Sequence, residues 1–64
     1  MAIKRKFKKG DKVWFFDTYL WREVEVQVSV IVEDGYICFD EDGLRYMAKD
    51  DELFATLAEL ELSL

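Results

Sequence analysis

The most regular pattern of apolar and polar positions runs from Glu23 to Glu33, where every even position from Val24 to Val32 is valine. The odd positions are polar except Ile31. Because side chains of a strand point to alternate faces, the run predicts one long strand with a buried valine face and a solvated face. Such a strand is about 36 Å long. That is too long for a flat strand in a small domain, so we expect a bend near Ser29 and a strand that serves both halves of a barrel.

Shorter β patterns flank this run and are separated from it by turns that contain glycine. The turn signals are Gly10-Asp11, the hairpin signal Glu33-Asp34-Gly35, and Asp42-Gly43. The predicted strands are residues 12–17, 23–33, 36–40 and 44–48. Consecutive strands joined by such short turns indicate an antiparallel meander.

The spacing of apolar residues changes near the C-terminus. Thr56 and Glu59 fit a capping box, in which each side chain satisfies a backbone amide at the start of a helix. Leu53, Leu57, Leu60 and Leu64 follow at helical spacing. We therefore expect a short helix over 56–64 that closes one open end of the barrel. With no linker in sight, residues 1–64 are predicted to form a single domain, with a basic arm at residues 1–9.

Phe7, Gly10-Asp11 and Val13, followed by a meander and a closing helix, resemble a small SH3-like barrel. The chain is also similar to short uncharacterised bacterial and phage proteins that open with a Gly-Asp-x-Val strand. Those proteins begin their helix with Leu-Phe-Ala-Thr, found here at residues 53–56. The resemblance implies a mainly β fold, an SH3-like antiparallel barrel or meander of four to five strands with a short C-terminal helix. It also implies a binding role, as an inhibitor or regulator of a host protein. The long second strand departs from the compact strands of SH3 domains.

Charge is distributed unevenly along the chain, whose net charge is −5. Residues 1–12 hold six basic side chains and one acid (+5), whereas residues 13–64 hold three bases and thirteen acids (−10). The basic arm either packs on the acidic body or reaches a nucleic acid while aromatic side chains stack on bases. The residues of that nucleic-acid alternative are Lys4, Arg5, Lys6, Lys8 and Lys9. The acidic body disfavours it, because it repels phosphate.

Residue types that usually support catalysis are scarce. The chain has no histidine, which removes the common general base and any Cys/His nucleophile or zinc site. Cys38 is expected to be an inert, half-buried packing residue, and a lone cysteine favours a reducing, cytoplasmic setting. The acids at 40–42 have some likeness to a calcium loop, but their spacing does not fit an EF-hand. We therefore predict no enzyme, no cofactor and no metal, and expect no signal peptide or membrane span.

Aromatic residues give the sharper prediction of function. The first strand is apolar on both faces, so either Val13 and Phe15 or Trp14 and Phe16 face away from the core. Bulky residues also occupy the following connection. One interpretation is that the terminal helix or the basic arm covers the second face of this strand. The other is that Trp14, Phe16, Tyr19 and Trp21 bind a protein partner. We therefore expect a non-catalytic protein-interaction module, with a homodimer seam as an alternative use of the surface, ahead of nucleic acid.

Overall fold

Five antiparallel strands form one curled half-barrel sheet in a computed structural model that describes residues 5–64. The strands are β1 (Lys12–Asp17), β2 (Arg22–Val32), β3 (Gly35–Phe39), β4 (Arg45–Ala48) and β5 (Leu53–Phe54). They lie side by side in the order β4-β3-β2-β1-β5. A 3-10 turn over Asp50–Glu52 precedes β5, and the helix α1 spans Leu57–Ser63. The predicted mainly β fold, an antiparallel arrangement of four to five strands with a short C-terminal helix, is confirmed, and the sheet curls into a half-barrel.

The long strand β2 bends where the sequence predicts it. Val28 lies opposite Cys38, but Val30 lies opposite Ile37, so the register shifts by one residue at Ser29. Such a β-bulge adds a residue to one strand and turns the following side chains. The prediction that all the even-numbered valines are buried is therefore wrong beyond Val28, because Val30 is exposed on the far side of the bulge.

The core lies on the inner face of the curled sheet. Its members are Phe7, Val13, Val24, Val26, Val28, Tyr36, Cys38, Ala48 and Leu53. Phe15 and Tyr46 pack against this cluster, with their ring centres 5.5 Å apart. Every strand contributes at least one core residue, so the hydrophobic burial that stabilises this small domain depends on the whole sheet being formed.

Strand β1 shows which of its two apolar faces is the inner one. Val13 is buried and Phe15 packs on the core, so Trp14 and Phe16 lie on the other face. Both of these outer residues are half-buried. Helix α1 packs against β1 and β5, and the Lys6 Nζ lies 5.8 Å from the centre of the Phe54 ring. The two covering elements foreseen from the sequence therefore both lie near the β1–β5 edge.

The C-terminal segment differs from the predicted helix face at its first leucine. Leu53 belongs to β5, where it lies opposite Phe15, so its helical spacing from Leu57 is coincidental. The start of the helix is confirmed, because the Thr56 hydroxyl accepts a hydrogen bond from the Glu59 N–H at 3.2 Å. Leu60 is buried. One deeply buried side chain thus holds a helix that is too short to be stable alone.

Strands β3 and β4 approach closely at Gly35, the first residue of β3. A Cβ added to this glycine would lie 2.2 Å from the backbone oxygen of Ala48. Its conformation does not require glycine, but its lack of a side chain does allow the two backbones to pair. The glycine of the predicted hairpin signal is therefore a spacing requirement between strands.

None of the helical segments in residues 5–64 combines the length and apolar character that crossing a membrane requires.

Candidate protein-binding surface

The connection between β1 and β2 is a tight turn over residues 18–21, which we call the aromatic turn. The last strand pair before it joins Asp17 to Arg22. Asp17 is a buried carboxylate, and its Oδ1 accepts hydrogen bonds from the backbone N–H groups of Tyr19 (2.9 Å) and Leu20 (3.1 Å). A side-chain oxygen that binds two successive amides fixes the turn in one conformation. The turn is therefore rigid although its side chains point into solvent.

Trp21 completes the turn in a conformation that bulky residues rarely adopt. Its φ is 56°, in the left-handed region. Non-glycine residues seldom lie there, and large ones pay a steric cost of about 1–2 kcal/mol. The indole nevertheless remains 75% exposed, with its ring 5.1 Å from that of Phe16 in an edge-to-face arrangement. The fold thus holds a strained tryptophan out toward solvent.

The four residues predicted to bind a partner occupy one region but are not equally accessible. Phe16 and Trp21 are in contact, and Trp14 lies two residues before Phe16 on the same outer face of β1. Tyr19 is 95% exposed within the aromatic turn. We refer to Trp14, Phe16, Tyr19 and Trp21 as the aromatic patch. The two residues of the patch in the turn are exposed to solvent, whereas the two in β1 are half-buried.

A cleft that the sequence did not predict separates the aromatic turn from the β3–β4 loop. We call it the loop cleft; it is lined by Leu20, Arg22, Asp40, Asp42, Gly43, Leu44 and Tyr46. Asp40 organises the loop side, because its Oδ1 accepts hydrogen bonds from the N–H groups of Asp42 and Leu44, each at 2.9 Å. The Tyr46 hydroxyl lies 3.4 Å from the other Asp40 oxygen. Asp40, one of the acids that the sequence places in a turn, therefore orders one wall of the cleft.

A second, more polar groove runs along the outer face of β1 and β2. It is lined by Trp14, Arg22, Glu23, Val24, Glu25, Asp40, Glu41 and Asp42, and we call it the strand groove. Five carboxylates and one guanidinium are therefore present around a single tryptophan. The loop cleft and the strand groove share Arg22, Asp40 and Asp42, so they adjoin each other.

Tyr46 and Cys38 are two of the side chains near the core whose pKa is raised. Burial raises the pKa of Tyr46, and the neighbouring carboxylates of Asp17 and Asp40 raise it further. Burial also raises the pKa of the Cys38 thiol. Cys38 is completely buried, so the prediction of a half-buried residue is wrong in degree. Both groups are held in their neutral forms, the phenol at the edge of the loop cleft and the thiol inside the core.

The acidic loops do not converge into a metal site in the described part of the chain. No group of three or more Cys, Asp or Glu side chains in residues 5–64 has the arrangement to hold a metal ion. Asp40, within the calcium-like run, uses its carboxylate to bind the amides of its own loop.

The basic residues of the nucleic-acid alternative are only partly free. Arg5 donates hydrogen bonds to the carbonyl oxygens of Val32 and Glu33, and its guanidinium lies 3.6 Å from an Asp50 oxygen. Lys6 lies over the rings of Phe7 and Phe54, whereas Lys8 and Lys9 are exposed, and Lys4 lies outside the described residues. Two of the predicted nucleic-acid residues thus bind the body of their own domain.

Comparisons with protein-family models, with curated proteins and with solved structures find no match to this chain. The similarity to short bacterial and phage proteins stays a prediction. The geometry of the surface is therefore the basis for a functional proposal.

Proposed function

We propose that the chain is a non-catalytic protein-interaction module that docks on a protein partner through the aromatic patch. The observation that carries this proposal is Trp21, an exposed indole held in a left-handed backbone by a rigid turn. Backbone strain of this kind costs about 1–3 kcal/mol and persists where the surrounding structure imposes it, often at sites of function.

The chemistry of the patch suits recognition of a protein. Tryptophan and tyrosine are the usual anchors of protein interfaces, because they bury a large area with few rotatable bonds. The two hydrogen bonds from backbone N–H groups to the Asp17 carboxylate order the turn before any partner binds. Binding would therefore cost little additional conformational entropy, which favours affinity.

The charge of the surroundings adds to the same proposal. Carboxylates beside Trp14 would attract a partner with a basic surface and raise the rate of association. An inhibitory or regulatory role toward a host protein, which the resemblance implies, would act through this same surface. A cytoplasmic location is part of the proposal, because Cys38 is a free thiol.

The decisive experiment is capture of the partner from the native host by wild-type protein and by single variants. We expect Trp21→Ala and Tyr19→Ala to lose at least tenfold in affinity for the captured protein, as about 1.4 kcal/mol per anchor would produce. Met47→Ala is the matched control, because Met47 is also a large exposed apolar residue but lies on β4. Equal affinity of all four proteins would refute the aromatic patch as the docking surface.

Two measurements separate the alternatives. Salt-dependent binding of an unrelated single-stranded oligonucleotide that is lost in Lys8→Glu/Lys9→Glu would assign nucleic-acid binding instead. Sedimentation of the wild type and Trp21→Ala separates the homodimer, since a dimer that dissociates on this substitution would place a second copy on the patch.

A further inference from the structure

We propose that the loop cleft receives an arginine or lysine side chain from a basic segment of the partner. The inference rests on the proposed function and specifies its chemistry: the aromatic turn supplies one wall of the cleft, and the cleft selects what the partner presents. No step of the argument depends on the acids alone.

The walls of the cleft suit the stem of a long cationic side chain. Leu20 from the aromatic turn and Leu44 from the β3–β4 loop both line it, and each is about half exposed. The cleft has a volume of about 460 Å³, within the range of ligand-binding pockets, about 300–1,000 Å³. Arginine and lysine place apolar methylene stems along apolar surface and keep their charged ends in water. Leu20 and Leu44 provide that surface.

The charge at the open end of the cleft determines the sign of the ligand. Asp42, which lines the cleft, and Glu41, which lines the adjoining strand groove, are both exposed, and Arg22 is the one cation among the residues that line the two. An apolar ligand would remove water from these carboxylates and give them no new partner, and an anion would be repelled. A guanidinium or ammonium group at this end would instead pair with them.

Both walls are ordered before any ligand arrives. The amides of Tyr19 and Leu20 bind Asp17, and those of Asp42 and Leu44 bind Asp40. Each wall is therefore fixed by a buried or half-buried carboxylate that accepts two backbone bonds. A cleft with fixed walls discriminates ligands by shape as well as by charge.

The adjoining strand groove indicates a segment with more than one cation. The groove meets the cleft at Arg22, Asp40 and Asp42 and brings Trp14 and two further glutamates, Glu23 and Glu25, alongside. A cation above an indole is attracted by the negative face of the ring. A basic segment that places one cation in the cleft could therefore place a second one beside Trp14.

The test is an NMR titration of the intact protein with the blocked tripeptide Arg-Ala-Arg, and with Glu-Ala-Glu as the counter-probe. Spectra are taken at about 50 mM salt, where screening of surface charges is weak. We expect saturable shifts from Arg-Ala-Arg at the amides of Leu20, Leu44 and Tyr46 and at the Trp14 indole N–H. Glu-Ala-Glu should produce none of these shifts.

Two double variants distinguish a shaped cleft from general attraction between charges. Asp42→Asn/Leu44→Ala should weaken Arg-Ala-Arg binding about three- to tenfold, from one exposed ion pair and one apolar contact. Asp34→Asn/Met47→Ala removes the same kinds of groups elsewhere on the exposed surface and should leave the affinity unchanged. Equal weakening by both, or shifts spread over all the acidic loops, would overturn the inference.

Failure of this inference can be separated from failure of the proposed function. The indole of Trp21 does not line the loop cleft, so Trp21→Ala should still bind the tripeptide. If Asp42→Asn/Leu44→Ala holds the captured partner as tightly as the wild type while Trp21→Ala releases it, the interaction module stands and the cationic cleft is refuted.

Discussion

At the residue scale, Trp21 combines a strained left-handed backbone with an exposed aromatic ring. A strand connection rich in bulky residues is visible in the sequence, so the exposure of Tyr19 and Trp21 could be expected. The left-handed backbone could not, because it depends on how Asp17 binds the turn amides and on the pairing of Asp17 with Arg22. The local sequence indicates which bulky residues lie in a turn, whereas the pairing of the flanking strands determines the backbone conformation of that turn.

The strain at Trp21 predicts an unusual order of stability among its variants. Trp21→Ala and Trp21→Gly both remove the edge-to-face contact with Phe16, but only glycine adopts φ near 56° without steric cost. We expect Trp21→Gly to be more stable than Trp21→Ala by about 1 kcal/mol. Urea unfolding curves measure the difference. At an ordinary strand position such as Trp14, the same two substitutions should rank in the opposite order, and a similar ranking at both positions would contradict the strain.

At the element scale, the segment that precedes β1 is fastened to the far end of the hairpin. Tyr36 of β3 makes the central contacts. Its hydroxyl accepts a hydrogen bond from the Phe7 N–H at 3.2 Å and donates one to Asp50. Asp50 also pairs with Arg5. A small group of polar contacts thus joins the N-terminal segment, β3 and the 3-10 turn. Arg5, within the predicted basic arm, therefore packs on the acidic body of its own domain.

The Tyr36 hydroxyl predicts how stability depends on alkaline pH. Burial raises the pKa of Tyr36, and its hydrogen bond to Asp50 raises it further, so the folded state favours the neutral phenol. The resulting stabilisation is complete below the unfolded pKa of about 10 and is lost as the pH rises through the folded pKa. Tyr36→Phe should therefore lose about 1–2 kcal/mol at neutral pH and decline less steeply than the wild type above about pH 10.

Urea midpoints measured between neutral and strongly alkaline pH check this expectation. Tyr19→Phe is the matched control, because it removes a hydroxyl that is almost fully exposed. Cys38 and Tyr46 are present in every variant, so the difference between curves isolates Tyr36. Parallel curves for the wild type and Tyr36→Phe would show that the phenol is not coupled to folding.

The sequence predicts long elements better than short ones. Strand β1 was predicted with its observed limits, and β2 lies within one residue of its prediction, because alternation over many residues leaves a clear pattern. Strand β5 has only two residues, which is too few for a period. Leu53 consequently fitted the helical spacing of the leucines that follow it. Only its pairing with Phe15 of β1, a contact between distant parts of the chain, identifies it as a strand residue.

At the scale of the whole molecule, one small core serves both halves of the curled sheet. Cys38 is fully buried at the centre of β3 and faces Val28 on one neighbouring strand and Tyr46 on the other. No local opening of a loop or terminus exposes such a position. Its thiol therefore reports on the global unfolding of the domain.

Cys38 should react with a thiol reagent only through unfolded molecules. Burial raises the thiol pKa, so the folded state also lacks the reactive thiolate. We expect the protection free energy from labelling rates to agree with that from urea unfolding to within about 1 kcal/mol. In the matched variant Cys38→Ala/Ala55→Cys the thiol is moved to an exposed position and should react at the rate of a free peptide. Rapid labelling of the native wild type would contradict a closed core.

The sequence predicts one part of the candidate site and not the other. The aromatic patch follows from neighbouring residues, and the sequence could identify it because β1 is apolar on both faces. The loop cleft could not be predicted, since Leu20 and Leu44 are 24 positions apart in the sequence and line one cleft only in the folded sheet. Surfaces built by two loops require the fold to be known.

The length of β2 separates the molecule into two regions that can be varied independently. Its first residue adjoins the aromatic turn, and its last is held by Arg5, with 11 residues between and including them. A contour of about 33 Å therefore lies between the two ends. Residues 18–20 and 41–42 can be randomised in a display library while Asp17 and Asp40 keep the two loops ordered, and Arg5, Tyr36 and Asp50 keep the other end of the domain folded.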